Sequence, residues 1–207
     1  MQDKTFLATK PIGKLLFNLA LPAVVAQLIN MLYNLVDRIY IGHIPVTGDV
    51  ALTGLGVCLP VIMIVSAFAA LVSNGGAPRA SIFMGAGDND SAEKTLGGCL
   101  TMQVIISLLL TAAMLIWKDE LLYLFGASEN TISYAADYMG IYALGTIFVQ
   151  ITLGLNSFIT AQGFAKIGMK TVIIGAVLNI VLDPVFIFAL GMGVKGAALA
   201  TIISQAV

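Results

Sequence analysis

Runs of about 20 apolar residues, each long enough to cross a hydrocarbon core about 30 Å thick as a helix, recur along the whole sequence. They fall near 15–41, 51–72, 96–117, 138–161 and 169–190, and a sixth starts at Val194 and runs to Val207. This last run has 14 residues, about 21 Å of helix, and is too short to span comfortably. The sequence therefore predicts an all-α integral membrane protein, a six-helix transmembrane bundle over 1–207 with its sixth helix truncated, and the chain reads as a fragment. Composition agrees: 59% of residues are hydrophobic, 10% are charged and the mean hydropathy is +0.99, whereas soluble domains carry roughly a quarter charged residues.

A net charge of −1 leaves no basic footprint for nucleic acid. The first apolar run is too long for a signal-peptide core and reads as a retained helix. Cys58 and Cys99 sit in or beside apolar runs and read as packing residues rather than as a disulfide or metal site. With the N-terminus inside, Lys4, Lys10, Lys14, Arg79, Lys94, Lys166 and Lys170 are cytoplasmic, against Arg38, Lys118 and Lys195 outside. That asymmetry obeys the positive-inside rule and makes membrane lipid the chain's first partner. The connections are short. The longest polar stretch, 79–94, lies inside, and 118–137 lies outside with an amphipathic piece from Glu120 to Gly126.

Polar side chains in oil are costly, so their positions carry information. Gln27, Asn30, Tyr33, Asn34 and Asp37 follow at spacings of three and four and share one helix face, which must look into a cavity or the bundle interior. Pro22 removes a backbone hydrogen bond from the same helix and is expected to kink it. In the fifth run Asn179 and Asp183 stack four apart, and Pro184 frees the carbonyl of Ile180. A carboxylate, an amide oxygen and a loosened carbonyl in one turn form a candidate site for a hard cation or a proton. Asp37, Asp183 and Thr201 reach similar depths in the outer half. Arg38 is rotated about 100° from Asp37 and is expected to snorkel to the outer interface. Two membrane carboxylates without a basic counterpart readily hold a proton or a sodium ion. Asn74, Gln103, Ser107 and Thr111 read as bonds to neighbouring helices.

Two glycine strings suggest enzymes and fail in context. Gly191-Met-Gly193-Val-Lys-Gly196 fits a dinucleotide pattern but joins two membrane helices with no preceding strand, so it reads as a turn, and no organic cofactor is implied. Gly85-Ala-Gly87-Asp88 is similar to the motif of intramembrane aspartyl proteases, yet Asn89, Asp90, Ser91, Glu93 and Lys94 place Asp88 in a wetted loop. His43 reads as a surface residue.

The ordered motifs resemble multidrug and toxic compound extrusion (MATE) transporters. They are Leu19-Ala-Leu-Pro22, Asn34-Leu-Val-Asp37 with Ile41-Gly42, Arg79-Ala-Ser-Ile-Phe-Met-Gly85-Ala-Gly87-Asp88, Leu155-Asn156, Ala161-Gln-Gly163, and above all Asn179-Ile-Val-Leu-Asp183-Pro184 with Gly191-Met-Gly193-Val-Lys-Gly196. The resemblance implies one lobe of a twelve-helix, two-lobe antiporter of the plasma (inner) membrane, whose C-terminal lobe is missing here. Such a protein exports small organic cations in exchange for Na⁺ or H⁺. It implies a cation site at Asp37, Asn179, Asp183 and Thr201, a solute cavity at Asn30, Tyr33, Asn34, Tyr138 and Asn156, and bending of the first helix at Pro22. Flippases of lipid-linked oligosaccharides share the two-lobe plan but should carry more cations in the cavity. Acids in the helices, with no mid-helix Lys or Arg, favour cationic solutes.

Overall fold

The computed structural model describes residues 11–207; Lys4 and Lys10, assigned above to the inner side, lie outside the described residues. The described chain is helical throughout. Helices α1 (Ile12–Gly42), α2 (Gly48–Gly85), α3 (Asn89–Ile116), the short α4 (Lys118–Leu124) and α5 (Ile132–Ala161) are followed by α6 (Ala165–Pro184), a π-helical turn (Val185–Ala189) and α7 (Val194–Ala206). Five of these segments are long and apolar enough to cross a membrane: α1, α2, α3, α5 and α6 with its π turn. The protein is a multi-pass membrane protein. The connections lie at two ends of the bundle, named here for His43 and Asp88.

Helix α5 is the hub, packing against α2, α3, α7, α6 and α4, while α1 lies mainly along α6. Its exposed side carries Leu16, Phe17, Leu21, Val24, Leu28, Met31 and Leu35, a surface suited to lipid. The main core joins α2 and α5 through Leu55, Val61, Val65, Met139 and Val149. Thr111 donates to the Ala143 carbonyl across α3 and α5 at 2.9 Å, the interhelical bond that its position leads one to expect.

The helix ends differ from the hydropathy pattern for local reasons. Apolarity fades after Val72, yet α2 continues to Gly85 for 38 residues, about 57 Å. Ala77, Ala80 and Phe158 form a second small core there, and Gly76 lets Cys99 and Phe158 approach the α2 backbone. Packing therefore sustains helix through Pro78 and on to Gly85, into the stretch from Arg79 expected as a polar loop. The piece near Glu120 is a helix of its own, anchored by the fully buried Leu122. Pro22 is buried within an unbroken α1. After Pro184 the chain relaxes into a π turn, closed by the Leu190 amide on the Val185 carbonyl at 2.9 Å. The link to α7 then needs φ of +64° at Gly191 and +55° at Gly193, a conformation that glycine adopts without steric cost.

Asp88 is the N-cap of α3, its Oδ1 accepting from the Ser91 amide at 3.0 Å. Hydrogen bonds from the Ser91 side chain and amide hold its carboxyl below the ordinary value. A depressed folded value means that this stabilisation is complete at neutral pH and is lost as pH falls through it, below about 4. The protection factor of the Ser91 amide, the unstructured exchange rate relative to its own at the same pH, should therefore fall on acidification, and Asp88→Asn, which keeps a capping oxygen, should hold that factor constant.

Candidate functional site

The polar face of α1 looks into a cleft of about 320 Å³ between α1, α2, α5 and α7. Gln27, Asn30, Tyr33, Asn34 and Asp37 all line it, facing Tyr138 and Tyr142 of α5 and Thr201 and Gln205 of α7. Tyr138 and Tyr142, one turn apart, stack with centroids 6.1 Å apart and planes inclined by 16°. Tyr138 faces Thr201, and Tyr33 faces Asn34 and Gln205. Asp37 is 7% exposed, and its Oδ1 has no hydrogen-bond partner among the described residues.

Asp183 and Asn179 stand behind this wall on α6, fully enclosed at 0% and 1% exposure. The Asn179 Nδ2 donates to Asp183 Oδ1 at 3.3 Å. The remaining oxygens, Asp183 Oδ2 and Asn179 Oδ1, have no partner among the described residues. Asp183 lies within electrostatic reach of Asp37. Buried polar atoms without partners are expensive, and here three oxygens on two neighbouring helices share that state. Such a set accepts a proton or a small hard cation. Among the described residues no three His, Cys, Asp or Glu side chains gather as metal ligands.

A second cleft of about 550 Å³ opens toward the Asp88 end and shares Gln27, Asn30, Tyr33, Leu153 and Gln205 with the first. Asn156 belongs to this second cleft alone. It lies 18 residues from Tyr138 on one helix, about 27 Å away. Its Nδ2 donates to the Gly168 carbonyl and to Thr171 Oγ1, both at 3.2 Å, tying α5 to α6. The structure thus brings together Asn30, Tyr33, Asn34, Asp37, Tyr138 and Thr201, sets Asn179 and Asp183 immediately behind them, and separates Asn156 from Tyr138. Pro22 and Pro184 line neither cleft.

Arg38 makes no ion pair with Asp37 among the described residues, as its rotation about the helix leads one to expect. It is half-buried and lines the cleft beside Asp37. A helical wheel fixes only where a long flexible side chain starts, so lining the cleft is compatible with that rotation. Sequence reasoning also passed over Tyr142, Gln150 and Gln205. The four-residue spacing from Tyr138 signals the first. Gln150 is fully buried, its Nε2 donating to the Val65 carbonyl at 2.8 Å. Gln205 follows Thr201 by four residues in the short final helix, and that spacing is its signal. Asp88, by contrast, is fully exposed and engaged as a cap, so it is no buried catalytic carboxylate.

Comparison with known proteins agrees with this arrangement. The MatE family profile matches residues 22–185. The chain is 29% identical to the multidrug export protein MepA of Staphylococcus haemolyticus over 95% of its own length and 43% of the relative's. It is 28% identical to the FAD transporter of Shewanella oneidensis, over 99% and 45% of the two lengths. A crystal structure of MATE in complex with MaD3S superposes with a TM-score of 0.90 at 29% identity, covering 99% of this chain and 45% of that one. The chain thus spans somewhat less than half the length of the curated relatives it matches. With the fold, the motif order and the profile in agreement, the chain belongs to the MatE family.

Proposed function

We propose that the chain is one lobe of a plasma-membrane antiporter that exports organic solutes in exchange for Na⁺ or H⁺, with its N-terminus cytoplasmic. The observation that carries this reading is the convergence of Asp37 and Asp183, both enclosed within the membrane, with three unpartnered oxygens between them and Asn179. A proton or sodium ion is the simplest species that satisfies such a set, and Asp37 opens onto the cleft through which a solute would pass. One charge moving down 100 mV supplies about 2.3 kcal/mol. That energy drives export only if ion and solute favour different conformations of the lobe. Pro22 in α1 and Pro184 before the π turn are the places where the helices can bend. Asn30, Tyr33, Asn34 and Tyr138 serve the solute, and Asn156 serves it further along, in the second cleft.

Kinship with a multidrug exporter supports drug-like solutes, and this role is transport rather than enzymology. Kinship with an FAD transporter favours a second reading, in which the solute is a flavin nucleotide. The deciding experiment reconstitutes the intact transporter in liposomes under separately imposed sodium and proton gradients, with ethidium and FAD as alternative solutes. Efflux of ethidium should require an inward gradient of one of the two ions. Efflux that ignores both gradients removes the antiport mechanism, and efflux of FAD alone selects the second reading.

A further inference from the structure

Formal charge is scarce in the two connected clefts. Every residue lining the larger one is uncharged at neutral pH, and the smaller one carries two charged side chains, Asp37 and Arg38. Among the described residues Arg38 makes no ion pair; the pairs present are Lys94–Asp90 and Lys195–Asp137, both elsewhere. A half-buried guanidinium costs desolvation energy that no carboxylate in direct contact repays. It also presents a planar fork of donors suited to a carboxylate or phosphate. The solute path therefore offers one negative and one positive group side by side, and its formal charge sums to zero.

We propose that this site selects zwitterionic solutes, the cationic end facing Asp37 and a carboxylate or phosphate end facing the Arg38 guanidinium. The inference rests on the antiport reading above and narrows its solute class. With Asp37 ionised, a zwitterion finds both partners. When the coupling ion neutralises Asp37, the cationic end loses its partner and is left facing Arg38, so ion entry expels the solute, as exchange requires. A simple monocation also gains ionised Asp37 but meets repulsion from Arg38, so it binds more weakly than the zwitterion. A simple anion binds best once Asp37 is neutralised, and so would travel with the ion rather than against it. Arg38 thereby acts as a specificity-determining residue.

The test uses the intact transporter in liposomes and two dyes: a rhodamine with a free benzoate, and its methyl ester, which keeps the delocalised cation and lacks the anion. Wild-type protein should show the lower KM for the benzoate form. Arg38→Gln should raise that KM about tenfold and lower the KM of the ester, with kcat held for both, and Arg38→Lys should recover most of the benzoate affinity. A wild-type preference for the ester, parallel changes for the two dyes, or no change in either would overturn the inference while antiport stands. Failure of both gradients to drive either dye from wild-type protein would instead overturn the antiport reading on which it rests.

Discussion

Asp183→Asn in the intact transporter should reduce ion-driven efflux to the passive leak, a loss of at least about 100-fold or roughly 2.7 kcal/mol, with the protein still inserted and melting close to wild type. The two halves of that result have separate physical origins. Asparagine has the shape of aspartate and can keep the hydrogen bond with Asn179, now made at 3.3 Å to Oδ1. It also relieves the burial of an ionisable group at 0% exposure, so stability has little to lose. What disappears is the capacity to exchange a proton or balance the charge of a sodium ion at an oxygen, Oδ2, that has no other partner among the described residues. Efflux assays and melting curves on the same preparation separate these effects. Normal pumping by the variant would remove Asp183 from the coupling mechanism.

Gly196→Ala should destabilise the lobe by about 2 kcal/mol, although alanine is the better helix former by about 1 kcal/mol. A Cβ at Gly196 would stand 2.7 Å from the Phe186 carbonyl carbon, 2.8 Å from its oxygen and 2.9 Å from the Ile187 nitrogen. All three are backbone atoms of the π turn, so no rotamer change relieves the contact and α7 must move away from the turn. Phe188 of that turn meets Tyr40 of α1 edge-on at 6.3 Å, so the displacement also reaches the helix bearing Asp37. Thermal unfolding in detergent should show the loss. Gly140→Ala makes the control, since a Cβ there meets nothing within 4 Å and should leave stability unchanged or slightly raised. Equal melting temperatures for the two variants would contradict the packing described.

The site was legible in the sequence where oil made side-chain chemistry informative. Five polar residues on one face of an apolar helix admit few arrangements, and the cleft lined by Gln27, Asn30, Tyr33, Asn34 and Asp37 follows from the cost of polar groups in lipid. Asn179 and Asp183 were readable by the same argument together with their four-residue spacing. Features set by tertiary contact were not. Nothing in the composition of 73–85 announces a helix, because what holds it is the contact of Ala77 and Ala80 with Phe158, far along the chain. Nor could Pro184 alone say whether its turn would kink or widen; the π turn depends on the fit of Phe186 against Gly196. That Arg38 also lines the cleft was not readable, because a wheel projects Cβ directions and leaves the reach of a long side chain open. Asn156 had been grouped with Tyr138 through the family resemblance, and helix length separates them.

The length of α2 has a consequence at the membrane boundary. A rod of about 57 Å would have to lean nearly 60° to hide in a hydrocarbon layer of about 30 Å, well beyond the tilts of 0–40° that transmembrane helices adopt. With headgroups, which bring the bilayer to about 45 Å, α2 must still lean close to 40°, the steep end of that range, or stand its last turns before Gly85 in water. In an upright α2 those turns, braced by α3 and α5, would make a rigid stalk on the Asp88 side. An antibody fragment gripping that stalk could report or restrain movements of the lobe without ever entering the lipid.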